Sequence, residues 1–196
     1  MPSQKVVTLL SGGIDSMVLA DSLRERKDLK QIFLFVDYGH RAAKQEYRAA
    51  GAYARNRGKL ERISIALGGP TLKSQLMTGR LQDLAFLPGR NLLLLMAAAW
   101  MGCQVKSNLI AIGLRDVVQF PDTSEGFVHA FEGLSYLAFG RTFTVIAPLL
   151  QMSKGEVVQL GQKYGTPLPV SYSCYLGKTP PCGRCLGCRD RKGLSL

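Results

Sequence analysis

The stretch KVVTLLSGGIDS, residues 5–16, joins an apolar run to a turn of serines, glycines and one aspartate. The apolar run Lys5–Leu10 predicts a buried strand that ends in this turn. Beyond the turn the apolar residues take helical spacing, and we expect Asp15 or Ser16 to cap that helix. A strand followed by a tight turn and a helix is typical of the first unit of an α/β fold.

The same alternation of strand and helix continues through the rest of the chain. Further strands are expected at Ile32–Val36, Leu60–Ile65, Asn108–Gly113 and Thr142–Ala147. Helices are expected at His40–Gly58, at Leu92–Met101, from Asp122 or Thr123 through Phe139, and at Lys154–Tyr164, which Ser153 would cap. The helix that ends at Phe139 should turn Phe127, Ala130, Phe131 and Leu134 towards the core.

This order of elements predicts a Rossmann-like parallel sheet of five strands with helices on both faces. We expect it to occupy residues 1–170, followed by a small C-terminal segment at residues 171–196. Residues 68–84 show no clear period and should form a loop, and residues 87–91 should form a turn.

The turn at Ser11–Ser16, termed the phosphate loop here, has the composition of an anion-binding turn. Its two glycines let the backbone approach an anion closely, and the free N–H groups at a helix N-terminus point towards that anion. Its two serines add hydroxyl donors. Asp15 would repel phosphate, so we expect it either to hold Mg²⁺ or to cap the helix. The Gly-Lys-Ser/Thr of a Walker P-loop does not follow, so this is a different class of phosphate loop.

Four residues that follow predicted strands should meet at one rim of the sheet. They are Gly12, Asp37, Gly113 and Pro148. In open parallel sheets, ligands bind at the carboxyl ends of the strands, near the point where the strand order switches. We therefore expect the binding site at this rim.

Four of the five cysteines lie close together near the C-terminus, at Cys174, Cys182, Cys185 and Cys188. A Cys-x2-Cys spacing brings two sulfurs to one point of a tight turn, and four thiolates complete a closed tetrahedral shell. A structural Zn²⁺ is the first interpretation, and an iron–sulfur cluster is the alternative. Cys103 lies in an apolar segment and is expected to be a core residue.

Composition narrows the class of protein. The chain has 196 residues, 46% of them hydrophobic, and a net charge of +11. The positive charge favours polyanions, but no run of lysine and arginine is long enough to mark a nucleic-acid arm, so nucleic acid is not the expected partner. No apolar stretch reaches the roughly 18 residues of a membrane span, and the N-terminal apolar run is too short for a signal peptide. We expect a cytoplasmic protein.

Together these motifs resemble the 7-cyano-7-deazaguanine synthase family, the QueC-like branch of the pyrophosphatase-loop enzymes. The phosphate loop is similar to the ATP loop of that family, and Asp37-Tyr38-Gly39 is similar to the segment after its second strand. Pro88-Gly89-Arg90-Asn91 resembles a hallmark turn, and Lys154 falls where the family has a lysine on the phosphate side. Ser173-Cys174-Tyr175, followed by the other three cysteines of the cluster, resembles the zinc signature of the family.

The resemblance implies a fold of the adenine nucleotide alpha hydrolase type and a set of site residues. Asp15, Arg90 and Lys154 would be catalytic, the two cations by neutralising charge on the phosphates and on the substrate carboxylate. The substrate would contact Tyr38, Arg90, Asn91 and Asp122. ATP would contact Leu10, Ser11, Gly12, Gly13, Asp15, Ser16, Asp37 and Gly113.

The family's chemistry implies ATP, Mg²⁺ and Zn²⁺ as cofactors and 7-carboxy-7-deazaguanine as the small-molecule substrate. The carboxylate would attack ATP to give an acyl adenylate and pyrophosphate. Ammonia would then displace AMP to give an amide, and a second ATP would activate the amide oxygen on the way to the nitrile. The resemblance thus implies an ATP-dependent C–N ligase of queuosine biosynthesis, which we expect to be a homodimer without a membrane partner.

The chain departs from the family pattern at one rim segment. Residues 115–123 keep Pro121-Asp122 but are shorter than usual and lack the tyrosines and the cysteine of the family. A shortened rim suits a bulkier nucleophile, so one alternative is a QueC-like enzyme of an antiviral defence system that joins the deazaguanine carboxylate to a protein amine. Further alternatives are a tRNA-modifying adenylating enzyme and a non-catalytic nucleotide-binding module.

Overall fold

Five parallel strands form the centre of the computed structural model, which describes residues 3–66, 87–115 and 120–194. The strands lie in the order β3-β2-β1-β4-β5, and every neighbouring pair is parallel. The parallel five-stranded sheet predicted from the sequence is therefore confirmed. In chain order the strands are β1 (Gln4–Leu9), β2 (Leu29–Asp37), β3 (Leu60–Ser64), β4 (Leu109–Ala111) and β5 (Thr144–Ile146).

Six α-helices accompany the sheet in the described part of the chain. They are α1 (Ile14–Arg24), α2 (Ala43–Ala54), α3 (Arg90–Val105), α4 (Glu125–Phe139), α5 (Lys154–Lys163) and α6 (Leu186–Arg191). Short 3₁₀ turns occur at Pro121–Thr123 and Leu168–Val170. Within the described ranges, no helix combines the length and the apolar character that crossing a membrane would require. The loop predicted at residues 68–84 lies outside the described residues.

Side chains alternate between the two faces of the sheet along each central strand, as the pleat of a strand requires. On β1, Val6 packs with α1 and α5, whereas Val7 packs with α3 and α4. On β2, Phe33 packs with α1 and α2, whereas Leu34 joins Val7 on the opposite face. All four side chains are at most 2% exposed, so the sheet is buried on both faces. Each such residue contributes about 1.5–3 kcal/mol of hydrophobic stabilisation.

The strand order reverses at β1, which has β2 on one side and β4 on the other. The phosphate loop follows β1, and Gly113 follows β4, so the two connections leave the sheet on either side of the switch point. A Cβ on Gly113 would lie 3.1 Å from the backbone carbon of Asp15. The absence of a side chain there lets the end of β4 pack directly against the first turn of α1.

The start of α1 differs from the prediction that Asp15 or Ser16 would cap it. Gly13 is the N-cap, and no side chain in the described part of the chain caps the helix. The first N–H groups of an α-helix have no partner within the helix itself. Backbone donors at this end of α1 are therefore available to an anion.

Two other details of the helices also differ from expectation, and a third is confirmed. Arg90 and Asn91 are the first residues of α3, after Gly89 at φ +69°, and are not part of a turn. The cap of α4 is Ser124, because Pro121–Thr123 forms a separate 3₁₀ turn. The predicted cap of α5, Ser153, is confirmed, with a capping box.

The helix faces were predicted only in part. On α4, Phe131 is buried as expected, but Ala130 is exposed and Leu134 is 43% exposed. The prediction of Cys103 as a core residue was wrong, because its side chain is exposed near the end of α3. Apolar residues on a surface helix do not by themselves say which face is inward when they run around most of its circumference.

Candidate functional site

The phosphate loop is ordered by hydrogen bonds among its own residues. The hydroxyls of Ser11 and Ser16 lie 3.1 Å apart. The N–H of Gly13 donates to Ser11 Oγ at 3.3 Å, and Ser16 Oγ donates to the carbonyl of Gly13 at 3.0 Å. The two predicted hydroxyl donors therefore lie together at the N-terminus of α1, beside its free N–H groups.

Gly12 brings this loop against α2. Its φ of +81° lies in the left-handed region that favours glycine. A Cβ at this position would collide with the backbone carbonyl of Glu46 in the first turn of α2. The loop and the start of α2 are therefore in direct backbone contact, which places the side chains of that turn next to the phosphate loop.

Asp15 is held between two cations. Its Oδ1 accepts a hydrogen bond from Lys154 Nζ at 2.7 Å, and its Oδ2 lies 3.3 Å from Arg115 Nε. The Asp15, Lys154 and Arg115 side chains are 25%, 22% and 10% exposed. Partial burial strengthens such pairs relative to surface ion pairs. The three side chains carry a net charge of +1 and lie beside the loop, which suits a polyanionic ligand.

Asp15 does not cap α1, which was one of its two predicted roles. Each of its oxygens lies beside a cation, and its role in holding Mg²⁺ stays a prediction. The geometry makes Asp15 the anchor of Lys154 and Arg115. Arg115 was not predicted as a site residue, although its position two residues beyond Gly113, at the end of a predicted strand, was a usable signal.

The opposite wall of the site is built around Arg90. Burial lowers the pKa of the Arg90 guanidinium, but Tyr38, Tyr175, Asp122 and Glu46 outweigh that effect and raise this pKa. Burial also raises the pKa of Tyr38 and of Tyr175 to about 12, against the opposing charge of Arg90. Arg90 is therefore a permanent cation and the two phenols are neutral donors near neutral pH.

Asn91 and Asp122, both predicted to contact substrate, are hydrogen-bonded to each other. The N–H of Asn91 donates to Asp122 Oδ2 at 2.8 Å, and Asn91 Nδ2 donates to the carbonyl of Asp122 at 2.8 Å. Asp122 therefore satisfies a free N–H at the start of α3 from another segment. It fixes the helix end that carries Arg90, whereas Asn91 also lines the cavity described below.

Asp37 lies at the end of β2, as predicted, but its carboxylate is engaged elsewhere. The N–H of Gly39 donates to Oδ1 at 2.9 Å, and Arg62 lies 2.6 Å from Oδ2. Burial would raise the pKa of Asp37, but the Gly39 N–H and the Arg62 guanidinium hold it below its ordinary value. Asp37 is not among the residues that line the cavity between the phosphate loop and Arg90.

His40 and Glu46 form a second pair that the sequence analysis did not single out. His40 Nε2 lies 2.9 Å from Glu46 Oε2, and the two side chains are 13% and 18% exposed. The His40 ring stacks on Tyr38, with the centroids 4.3 Å apart and the planes inclined by 20°. No sequence motif marks the pair, because the two residues come together only where the β2–α2 connection folds over the first turn of α2.

One cavity of about 270 Å³ joins these groups. The phosphate loop and the Asp15–Lys154–Arg115 cluster line one part of it, and the Arg90 wall with the His40–Glu46 pair lines another. Cavities of this size hold small ligands. Among the predicted site residues, Leu10, Ser11, Gly13, Asp15, Ser16, Tyr38, Arg90, Asn91, Gly113 and Lys154 line it, and Gly12, Asp37 and Asp122 lie outside the lining.

The four C-terminal cysteines come together as predicted. Their sulfurs all lie within 4.8 Å of one another, and Cys182 Sγ is 3.9 Å from Cys188 Sγ. A tetrahedral ion with metal–sulfur distances of about 2.3 Å sets sulfurs about 3.8 Å apart. The cluster therefore fits one metal ion, whereas an iron–sulfur cluster would place a larger inorganic core between the thiolates. The backbone N–H of Arg184 lowers the pKa of the Cys182 thiol, which favours the thiolate that binds metal.

The cysteine segment also forms part of the cavity wall. Ser173 and Tyr175 flank the first cysteine and line the cavity, as do Leu186 and Gly187 between the last two. A Cβ on Gly187 would collide with the carbonyl of Ser173, so the two stretches are in close backbone contact. The cysteine segment is thus continuous with the cavity wall that includes Arg90.

Comparison with known sequences identifies the family of this chain. The family model described as queuosine biosynthesis protein QueC matches residues 5–194. The 7-cyano-7-deazaguanine synthase of Nitrosococcus oceani is 32% identical over 213 residues, which cover 98% of this chain and 93% of that protein. The enzyme of the same name from Methanobrevibacter smithii is 28% identical over 217 residues, with the same two shares.

Solved structures with less sequence similarity share the fold. NMN synthetase from Francisella tularensis superposes with a TM-score of 0.54 at 18% identity and covers 86% of this chain. The U34-tRNA thiolase NcsA from Methanococcus maripaludis, with its [4Fe-4S] cluster, gives a TM-score of 0.54 at 20% identity and covers 97% of this chain. This chain covers 64% of each of those two chains. The two solved structures share with this chain the Rossmann-like fold of the adenine nucleotide alpha hydrolase type. On the match over residues 5–194 and the identity to curated relatives, the chain belongs to the QueC family, whose curated relatives here are named 7-cyano-7-deazaguanine synthases.

Proposed function

We propose that this chain activates 7-carboxy-7-deazaguanine with ATP as an acyl adenylate and aminates it, with release of AMP. The observation that carries the proposal is the shared cavity, in which the phosphate loop and Lys154 face the same space as Arg90 and Tyr38. One part of the cavity suits a polyphosphate and the other an anionic, planar molecule. Membership of a family of 7-cyano-7-deazaguanine synthases supports this assignment.

In the proposed first step, the phosphate loop binds the β and γ phosphates of ATP. The N–H groups at the start of α1 and the hydroxyls of Ser11 and Ser16 donate to the phosphate oxygens. A carboxylate oxygen of the substrate attacks the α phosphorus, the new P–O bond forms, and the bond to pyrophosphate breaks. Lys154 and Arg115 stabilise the charge that develops on the leaving pyrophosphate, and Asp15 keeps both cations aimed at it.

Arg90 holds the substrate carboxylate in this proposal. Its guanidinium offers paired N–H donors that match a carboxylate, and the Asn91–Asp122 hydrogen bonds fix the helix end that carries it. The neutral phenols of Tyr38 and Tyr175 add donors without adding repulsion. Neutralising the carboxylate lets it approach the phosphates without a large electrostatic penalty.

In the second half, an amine displaces AMP. Ammonia gives the amide, and a second adenylation on the amide oxygen followed by loss of AMP gives the nitrile. A protein amine would instead stop at a substituted amide, which is the reaction of the defence-system alternative. The two outcomes differ in mass, so the products identify the nucleophile.

The cysteine cluster is proposed to hold one structural Zn²⁺. Sulfur separations within 4.8 Å and a closed set of four thiolates support this choice over a catalytic metal, which would need an open coordination position. Mg²⁺ is proposed to enter with the ATP phosphates and not as a resident ion on Asp15.

The test is release of pyrophosphate by the purified chain with ATP, Mg²⁺ and 7-carboxy-7-deazaguanine. We expect release that depends on the deazaguanine and matches AMP formation, and mass spectrometry then distinguishes nitrile, amide and protein conjugate. Pyrophosphate release that is the same with and without the deazaguanine would refute the proposal.

A further inference from the structure

The pair formed by His40 and Glu46 has the geometry of a carboxylate–imidazole dyad. Glu46 Oε2 lies 2.9 Å from His40 Nε2. In a neutral imidazole, a carboxylate acceptor at Nε2 places the hydrogen on Nε2 and leaves the lone pair on Nδ1. His40 lines the cavity, and its buried Nδ1 has no hydrogen-bond partner among the described residues.

Two features hold this imidazole in place. The Tyr38 ring stacks on it at 4.3 Å, which fixes the ring plane. Gly12 packs on the backbone carbonyl of Glu46, which fixes the first turn of α2 relative to the phosphate loop. A base that is oriented by a second group and by its packing is suited to proton transfer.

The dyad lines the same cavity as Arg90 and the phosphate loop. His40, Glu46 and Arg90 all line it, and Glu46 is close enough to Arg90 and Tyr38 to raise the pKa of both. A substrate carboxylate bound by Arg90 would therefore have its acyl carbon near the dyad. The negative charge of Glu46 also attracts a cationic amine to that position.

The proposed reaction needs a base at this point. Amines such as a lysine side chain have a pKa near 10.4 and are protonated near neutral pH, so their nitrogen has no free lone pair. We propose that His40, oriented by Glu46, is the general base that deprotonates the amine nucleophile. This inference rests on the proposed function, because it assigns a residue to the amination half of that reaction.

In the simplest case the nucleophile is supplied as ammonium. His40 Nδ1 takes one proton and frees the nitrogen lone pair, which forms the C–N bond to the acyl carbon. The acyl C–O bond breaks, and its electron pair leaves on the phosphate oxygen of AMP. The nitrogen of the new amide loses its second proton to water, and the imidazolium returns its proton to solvent.

The experiment compares two nucleophiles in the wild type and in His40→Gln and Glu46→Gln. Ammonium must lose a proton before it attacks, whereas hydroxylamine is largely neutral near neutral pH and needs no base. We expect amide formation from ammonium to fall about 100-fold or more in His40→Gln, in the range of a lost general base. Hydroxamate formation and substrate-dependent pyrophosphate release should fall far less. Glu46→Gln should resemble His40→Gln, because its amide can donate to Nε2 and move the ring hydrogen to Nδ1.

His129→Gln is the matched control. His129 is the other histidine of the chain, 69% exposed on α4 and paired with Glu132 at 3.5 Å. It should keep the wild-type rates with both nucleophiles. If His40→Gln lowers the rates with ammonium and hydroxylamine equally, or lowers neither rate, the general-base assignment is wrong. If the wild type releases no substrate-dependent pyrophosphate, the proposed function fails instead, so the two failures are distinguishable.

Discussion

The backbone N–H of Tyr172 donates to the carbonyl oxygen of Gly12 at 2.9 Å. Tyr172 lies two residues before Cys174, so the cysteine segment is hydrogen-bonded directly to the phosphate loop. Its phenol donates in turn to the carbonyl of Lys178 at 2.8 Å, within the same segment. The two functional parts of the chain, far apart in sequence, therefore share one hydrogen-bonded wall.

Loss of the metal should weaken ATP binding as well as the fold. In Cys185→Ala, three thiolates remain, and the segment that supports Gly12 loses the folding free energy that a structural metal provides. We expect a lower melting temperature and a weaker affinity for the nucleotide. Calorimetry with an ATP analogue that cannot be cleaved between its α and β phosphates measures that affinity. Chelation of the wild type should reproduce both effects.

Cys103→Ala serves as the control for that variant. Cys103 is exposed on α3 and does not belong to the cluster, so both quantities should stay at the wild-type values. An unchanged melting temperature in Cys185→Ala would show that the metal is not structural. Unchanged ATP affinity with a lowered melting temperature would show that the Tyr172–Gly12 bond does not couple the two parts.

Replacing Asp15 should remove AMP formation without unfolding the chain. Asp15→Ala frees Lys154 and Arg115 from their common anchor, so the two cations are no longer aimed at one point. We expect kcat to fall by about 100-fold or more, the scale for losing one oriented electrostatic contact in an active site. Asp28→Ala, which removes a carboxylate from an exposed pair with Arg26, should leave the rate unchanged. Turnover at the wild-type rate in Asp15→Ala would contradict this role.

Arg115 should matter for catalysis although no motif marks it. Its side chain is 10% exposed and reaches Asp15 from the end of β4. Arg115→Gln should lower the rate of pyrophosphate release. The double variant with Lys154→Gln should lower that rate by less than the combined effect of the two single substitutions. Residues that share one partner are not additive, because the first substitution already loosens the second cation. Strictly additive losses in the double-mutant cycle would show that the two cations act independently.

Much of the fold follows from the sequence because its signals are local. The apolar run before Ser11 and the cysteine spacing at Cys182–Cys188 are short-range patterns. The strand and the cysteine cluster that they predict are both present. Two pairs of the site could not be predicted from local patterns. Arg115 approaches Asp15, and His40 approaches Glu46, only once the strands and helices pack. Asp37 lies at a strand end as predicted, but the sequence does not show that Arg62 on the neighbouring strand engages its carboxylate.

The phenols near Arg90 predict how stability changes at high pH. Burial raises the folded-state pKa of Tyr38 and Tyr175 to about 12, whereas unfolded tyrosines ionise near pH 10. Above pH 10 the unfolded state therefore releases protons that the folded state keeps, so the free energy of unfolding should fall between about pH 10 and 12. Their stabilising contribution is fully present below pH 10. Urea unfolding across this range should show a shallower decline in Tyr38→Phe than in the wild type.

The control for this pH dependence is Tyr136→Phe, which alters a tyrosine that is 59% exposed on α4. It should show the same decline as the wild type, because this substitution leaves the two phenols beside Arg90 unchanged. The ultraviolet absorbance of tyrosinate gives an independent measure, since Tyr38→Phe should remove absorbance that appears only at the alkaline end of the titration. A decline as steep in Tyr38→Phe as in the wild type would mean that the Tyr38 phenol does not stay neutral beside Arg90. In that case its assignment as a neutral donor to the substrate would also be wrong.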